Sequence, residues 1–242
     1  MNKEEFVKEV EKLGIEVNEE KLDLLEKFYN LLIEWNEKIN LTAIIEKKDV
    51  YLKHFYDSLT LYKAIDLNKE LYLCDVGTGA GFPGIVLKIF FPNLRIKLID
   101  SLQKRVNYLN EVIKELDLKN IDAEHVRMED YSKNHVEEFD IITARAVANL
   151  GVLSEISVKA LKKEGHLIFL KGKLEEELDV FLKHSKDLGL ILDKKEEFLL
   201  PYENSNRTII DFKKIEKTKD KYPRRLEIIK KYIINIYKIL WQ

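Results

Sequence analysis

Cysteine is almost absent. Cys74 is the single one in 242 residues, so no internal disulfide can form. On that ground the chain reads as cytoplasmic. Long apolar runs are missing too. No stretch approaches the roughly 18 apolar residues of a membrane-spanning helix, and no membrane partner is expected. The opening "MNKEEFVKEVEK" is charged and of helical period, which argues against a secretory signal. Internal repeats and low-complexity segments are lacking. Five histidines, His54, His125, His135, His166 and His184, are scattered without paired ligand spacing, so no metal site is expected. Glycine is scarce at nine residues, yet four glycines fall in "CDVGTGAGFPG" at 74–84.

What is present is ordinary for a globular chain, with 45% apolar residues. The net charge of −2 hides an asymmetry. From Lys213 to Gln242 there are ten basic and three acidic residues, leaving −9 for the remainder. A basic end on an acidic body points to a polyanionic partner or to a solvated helix face.

Residues 1–67 carry helical period throughout. Phe6, Val10 and Leu13 share one face before Gly14; Leu22, Leu25, Phe28, Leu32 and Trp35 share another after an Asn18 cap; a third helix is expected over 49–65. From residue 71 short strands alternate with helices. Strands are expected at 71–76, 95–100, 121–126, 139–145 and 166–172, with Gly165 turning the chain before the last. Two late strands, near 195–200 and 207–213, are joined by too short a link for a crossover and should form a hairpin. This pattern predicts an α/β, Rossmann-like, mostly parallel seven-stranded sheet with one antiparallel strand. The expected division is a helical extension at 1–67, a ligand-binding domain at 68–215 and a basic, helical tail at 216–242.

The glycine stretch follows the first strand, where open α/β sheets bind ligands. Phe82 stands where the dinucleotide fingerprint needs its third glycine, and no Gly-Lys-Ser/Thr follows for a P-loop. What remains is Asp75 followed by Gly77, Gly79 and Gly81. This pattern resembles the first motif of Rossmann-like S-adenosylmethionine-dependent methyltransferases. Asp75 is a candidate partner for the donor's ammonium. Asp100, 21 residues beyond Gly79, suits the ribose hydroxyls or caps the next helix. Met128 and Glu129 in "VRMEDY" are placed beside adenine, with core packing the alternative for Met128. Cys74 is read as core. The segment "TARAVANL" lacks the Asn/Asp-Pro-Pro-Tyr/Phe of exocyclic-amine methylation, and no nucleophilic cysteine is available. An acceptor needing neither base nor metal, such as a ring nitrogen, fits. Arg145 is the polar group expected in its pocket.

Taken in order, "NEKINLTAI" (36–44), "KHFYDSL" (53–59), "DVGTGAGFPGI" (75–85), "LIDSLQKRVNYLNEV" (98–112), "VRMEDY", "ARA" (144–146), "LKGK" (170–173) and "KYPRR" (221–225) resemble the small-subunit ribosomal RNA methyltransferase G family, also called glucose-inhibited division protein B. The resemblance implies N7 methylation of a guanine in the 530 loop of 16S ribosomal RNA, by direct in-line transfer from S-adenosylmethionine. It implies donor contacts at Gly77, Phe82, Met128, Glu129 and Arg145, and packing of His54, Asp57 and Ser58 toward the same pocket. Lys53, Lys104, Arg105, Lys171, Lys173, Arg207, Arg224 and Arg225 are candidates for phosphate contact in the RNA or small-subunit particle. A monomer is expected. One departure is the end. The family's short Gly, Pro and Lys tail is replaced by "RLEIIKKYIINIYKILWQ", with Ile229, Tyr232, Ile233, Ile236 and Leu240 in a stripe beside Lys230, Lys231 and Lys238. The stripe could dock on the domain, lie on RNA or mimic a membrane-surface helix; docking on the domain is expected. Open alternatives are a methyltransferase of another RNA, protein or small molecule, a nicotinamide oxidoreductase, and a non-enzymatic RNA-binding module.

Overall fold

The computed structural model describes residues 1–145, 149–172 and 175–232. Ala146, Lys173 and the tail positions Ile233, Ile236, Lys238 and Leu240 lie outside these.

Local chemistry sets the first helices. In α1 (Lys3–Lys12) the Asn2 side chain accepts from Glu5 N at 2.9 Å, and Glu5 accepts from Asn2 N at 2.7 Å, a reciprocal cap. Asn18 caps α2 (Glu19–Ile39), and Asn40 ends it in the left-handed region at φ 49°. The expected third helix is broken into four pieces: α3 (Lys47–Val50), a π-helical turn at Tyr51–Tyr56, α4 (Asp57–Leu59) and a 3₁₀ turn at Thr60–Lys63.

The sheet then forms from β1 (Tyr72–Val76), β2 (Arg95–Asp100), β3 (Ile121–His125), β4 (Phe139–Arg145), β5 (Leu161–Lys171), β6 (Leu190–Leu199) and β7 (Asn206–Lys214). Its order is β3-β2-β1-β4-β5-β7-β6, and among these strands β7 alone runs opposite to the rest. Helices α5 (Gly84–Phe90), α6 (Gln103–Glu115), α7 (Met128–Asn134), α8 (Leu150–Ser157) and α9 (Glu175–Ser185) intervene. The fold class is as expected. One local expectation is corrected. Gly165 lies inside β5, where the register with β4 shifts, rather than at a turn before the strand. Met128 of the segment placed beside adenine begins α7, a helix the sequence pattern does not show.

Alternation sorts each strand between two cores. Leu73, Leu98 and Ile141 face one core together with Phe6, Phe28 and Phe55 of the helical extension. Cys74, Ile99 and Ile142 face the other. Asp75, Asp100 and Arg145 therefore leave the strand ends on the extension's side. The strand order reverses between β1 and β4, the position where such sheets open a crevice.

Candidate active site

The glycine loop has two kinds of glycine. Gly77 and Gly79 hold φ of 66° and 60° and line a cavity of about 600 Å³, within the usual range for ligand pockets. Gly81 and Gly84 are bare for internal packing. A Cβ on Gly81 would sit 2.6 Å from Ile85 Cγ1, and one on Gly84 would sit 2.3 Å from Leu98 Cδ2. The loop is tied down from below. Gly77 N and Thr78 N donate to Ile99 O at 2.8 and 3.2 Å. Asp75 Oδ2 accepts from Thr78 Oγ1 at 2.7 Å and from Gly84 N at 2.8 Å. Asp75 is fully buried and does not line the cavity. Its expected contact with a ligand ammonium is corrected: the carboxylate fastens the loop instead. Burial pushes its pKa up to about 6, against the hydrogen bonds from Thr78 and Gly84.

Asp100 does reach the cavity. Oδ2 accepts from Gly79 N at 3.0 Å and Oδ1 from Leu102 N at 2.9 Å, a turn just ahead of α6; the capping alternative is not met, since the N-cap of α6 is Leu102 and no side chain caps it. Arg105 Nη1 stands 3.4 Å from Oδ2. Oδ1 keeps a lone pair beyond its one bond and can accept from a ribose hydroxyl.

The opposite wall comes from the extension. The π turn moves the Asp57 N–H onto Leu52 O and His54 O, past Lys53 O. That carbonyl accepts instead from Arg145 Nη1 at 2.6 Å. Such wide turns recur at functional sites. Arg145 Nη2 is 2.9 Å from His54 Nδ1, and Thr42 Oγ1 is 3.0 Å from Nε2. Arginine has no acceptor, so Nδ1 is bare and Nε2 carries the proton. Burial, with the Arg145 charge adding, pulls the His54 pKa down to about 3. Its ring stacks on Phe82 at 4.4 Å, and Arg145 lies over the same ring at 5.2 Å. Asp57, 5% exposed, accepts from Arg145 at 3.2 Å and from Arg207 Nε at 2.9 Å. Ser58 is buried and donates to His54 O at 2.6 Å, away from the cavity.

The structure thus brings Gly77, Gly79, Phe82, Asp100, His54, Asp57 and Arg145 to one cavity, with Lys53, Arg105, Lys171 and Arg207 among its walls. Met128 is 3% exposed in the second core, and Glu129 pairs with Arg127 at 3.7 Å; neither side chain lines the cavity. For Met128 the core alternative holds. Lys104 and Arg225 are exposed and away from the cavity walls. Arg224 is corrected from phosphate ligand to structural cation. It grips the fully buried Glu155 through Nε at 2.7 Å and Nη2 at 2.6 Å. Cys74 is buried, and burial pushes its thiol pKa up. Sequence reasoning missed Thr42, Ser101 and Thr78 as cavity residues. Only the motif "NEKINLTAI" carried a signal for the first.

The docking expected for the tail is met as far as it is described. Tyr222 and Ile229 are buried in the second core, and Tyr232 lies 5.1 Å from the His184 ring. Among the described residues no helix is long and apolar enough to cross a membrane.

The family model GidB, described as rRNA small subunit methyltransferase G, matches residues 21–199. Curated proteins named ribosomal RNA small subunit methyltransferase G are similar over nearly the whole chain. That of Bacillus subtilis (strain 168) is 46% identical over 228 residues, 93% of this chain and 95% of the relative. That of Lysinibacillus sphaericus (strain C3-41) is 44% identical, covering 93% and 96%. Among solved structures, a ribosomal protein L11 methylase from Lactobacillus delbrueckii subsp. bulgaricus aligns with TM-score 0.52 at 16% identity, covering 68% of this chain and 79% of that one. A SAM dependent methyltransferase from Aquifex aeolicus aligns with TM-score 0.50 at 19% identity, covering 69% and 93%. These two show the fold.

Proposed function

The chain belongs to the rRNA small subunit methyltransferase G family, and from that membership we infer the reaction at its cavity. It is a ribosomal RNA methyltransferase that uses S-adenosylmethionine. The donor supplies an electrophilic methyl group on a sulfonium. Gly77 and Gly79 offer close backbone, Asp100 a carboxylate oxygen for a ribose hydroxyl, and Phe82 an apolar face. These residues fit such a ligand.

The acceptor we propose is guanine N7 in the 530 loop of 16S ribosomal RNA. One observation carries this reading. Among the described residues, the imidazole and the Asp57 carboxylate lining the cavity are engaged within the protein, and Asp100 is the carboxylate assigned to the donor's ribose. His54 uses both ring nitrogens, Asp57 sits between two guanidinia, and Asp100 holds two backbone N–H groups. A free general base is not in evidence there, and N7 needs none because its lone pair bears no proton. Catalysis is then alignment of acceptor and methyl group, with Arg145 and Phe82 as a fixed wall. Lys53, Arg105, Lys171 and Arg207 give the cavity an excess of positive charge over Asp57 and Asp100, which suits RNA phosphates. We place the enzyme in the cytoplasm, on its single buried cysteine and its RNA substrate, and propose that it acts as a monomer.

The test is transfer of labelled methyl to purified small-subunit RNA and to particles, followed by chemical cleavage at 7-methylguanine. Cleavage in the 530 loop is expected. Label at another atom, or none in ribosomal RNA, would overturn the assignment.

A further inference from the structure

Three strands at one side of the sheet bring a mixed nitrogen and oxygen donor set together, away from the cavity. His166 of β5, Asp193 of β6 and Asp211 of β7 each offer one ligand atom, and these atoms all lie within 4.8 Å of one another. Register explains the meeting. Along β5 and β7, His166 pairs with Lys213 and Ile168 with Asp211, so His166 and Asp211 share the face of Ile168. On β6 the ladder passes from Leu192 opposite Phe212 to Lys194 opposite Asp211, which leaves Asp193 as the extra residue of a bulge. Bulges re-aim side chains.

His166 Nδ1 donates to Asp211 Oδ2 at 2.8 Å and stands 3.0 Å from Oδ1. A carboxylate only accepts, so Nδ1 bears the proton. Asp211 is 1% exposed, His166 is partly buried and Asp193 is exposed, so the set opens to solvent on one side. The adjacent lysines are engaged elsewhere. Lys213 holds Glu164 at 2.9 Å, and Lys194 holds Glu196 at 3.3 Å and Lys63 O. Two carboxylates thus face one imidazole, and among the described residues Asp193 makes no ion pair.

We propose that His166, Asp193 and Asp211 bind one divalent transition-metal ion of the zinc type. One imidazole nitrogen and two carboxylate oxygens suit such an ion, with water completing a tetrahedron. Ligands about 2.0–2.2 Å from zinc stand about 3.3–3.6 Å apart, so a shift of roughly 1–1.5 Å at most closes the set. Asp193, on the exposed edge strand, makes it. The Nδ1 proton leaves to solvent as the ion binds. The ion clasps three strands and ties β6, the edge strand, across β7 to β5. Asp211 lies 45 residues beyond His166, so no local spacing reveals the set.

The test uses the full-length protein, stripped with a chelator and titrated with zinc chloride in calorimetry and melting scans. One equivalent should bind. Zinc at about a hundred times its Kd should raise the melting temperature by about 5–11 °C. Magnesium at the same concentration should not, because it prefers oxygen ligands and keeps its waters. Asp193→Asn should weaken zinc binding by more than the roughly tenfold that loss of an outer partner costs. That variant breaks no ion pair, so its metal-free melting should match wild type. His166→Gln should weaken zinc binding likewise. A wild-type protein that zinc does not stabilise overturns the site. So does wild-type zinc affinity in Asp193→Asn, which puts the ion on other side chains, and so does an equal response to magnesium, which denies the imidazole a part. None of these outcomes depends on methyl transfer.

Discussion

Replacing Arg224 should damage the fold rather than RNA binding. Its guanidinium holds Glu155, a fully buried carboxylate on α8, through two hydrogen bonds, and its backbone N–H adds a third at 3.0 Å. Burial alone would raise the Glu155 pKa. The Arg224 bonds and the nearby His184, 3.6 Å away, outweigh it and bring the value down to about 2 from 4.5. A difference of that size corresponds to about 3 kcal/mol of stability at neutral pH. Breaking a buried pair from one side costs about 3–5 kcal/mol, because the other charge is left without a partner. Arg224→Ala should therefore lose about 3 kcal/mol, a fall of roughly 6–12 °C in melting temperature for a chain of this size. The pH dependence has a definite sign. A depressed carboxylate pKa contributes stability that is full above about 4.5 and is lost as pH falls toward 2. Arg224→Ala should lack that acid-side loss, and the gap between the two proteins should narrow below pH 4.5. Glu155→Gln combined with Arg224→Met should recover part of the loss, since no charge is then buried unpaired. Melting scans across pH and RNA binding across salt check all of this. A variant with wild-type melting and a shallower salt slope would refute the reasoning and return Arg224 to the phosphate contacts.

The two kinds of glycine should separate. Gly84→Ala drives a Cβ to 2.3 Å from Leu98 and 2.9 Å from Asp75 Oδ2, and should cost about 1–3 kcal/mol in denaturant unfolding. Gly79→Ala meets nothing closer than 3.9 Å but is strained at φ +60°; it should cost about 1–2 kcal/mol and weaken donor binding, read by calorimetric titration. Because the His54 pKa lies near 3 when folded, the unfolded chain takes up a proton first as pH falls below about 6.5. Stability should decline from there toward pH 3, and His54→Asn should flatten that segment of a melting-temperature profile. Glu203→Gln should release Lys53 from its nearest carboxylate at 3.0 Å. RNA binding should tighten and its salt slope steepen by up to about one; an unchanged slope would show that Lys53 does not meet phosphate.

Much of the fold was legible because its signals are local. Asn18 caps the helix it precedes, and the change from helical period to short strands at residue 71 marks the sheet. The hairpin of β6 and β7 followed from a link too short for a crossover. The break at Tyr51–Tyr56 was not legible, since its residues keep helical period and only the demand of Arg145 for Lys53 O shows why the turn widens. The onset of α7 was hidden because "MEDYSK" is polar on most sides. Asp100 was readable from its spacing after the glycines. The fates of Asp75 and Arg224 were not, because charge and position in the chain do not say which way a side chain is met.

The amino-acid order by itself determined the α/β class, the glycine loop, the acid ending the second strand and the family, all properties of short segments or of their succession. Tertiary structure decided which charges are spent. Asp75 fastens the loop, Arg224 neutralises Glu155, and His54 is held neutral between Arg145 and Thr42. The physical reason is that a charged group's role depends on burial and on partners far away in the chain. The Arg145 partners lie 88 to 92 residues away and the Arg224 partner 69. No local window contains both members of those pairs.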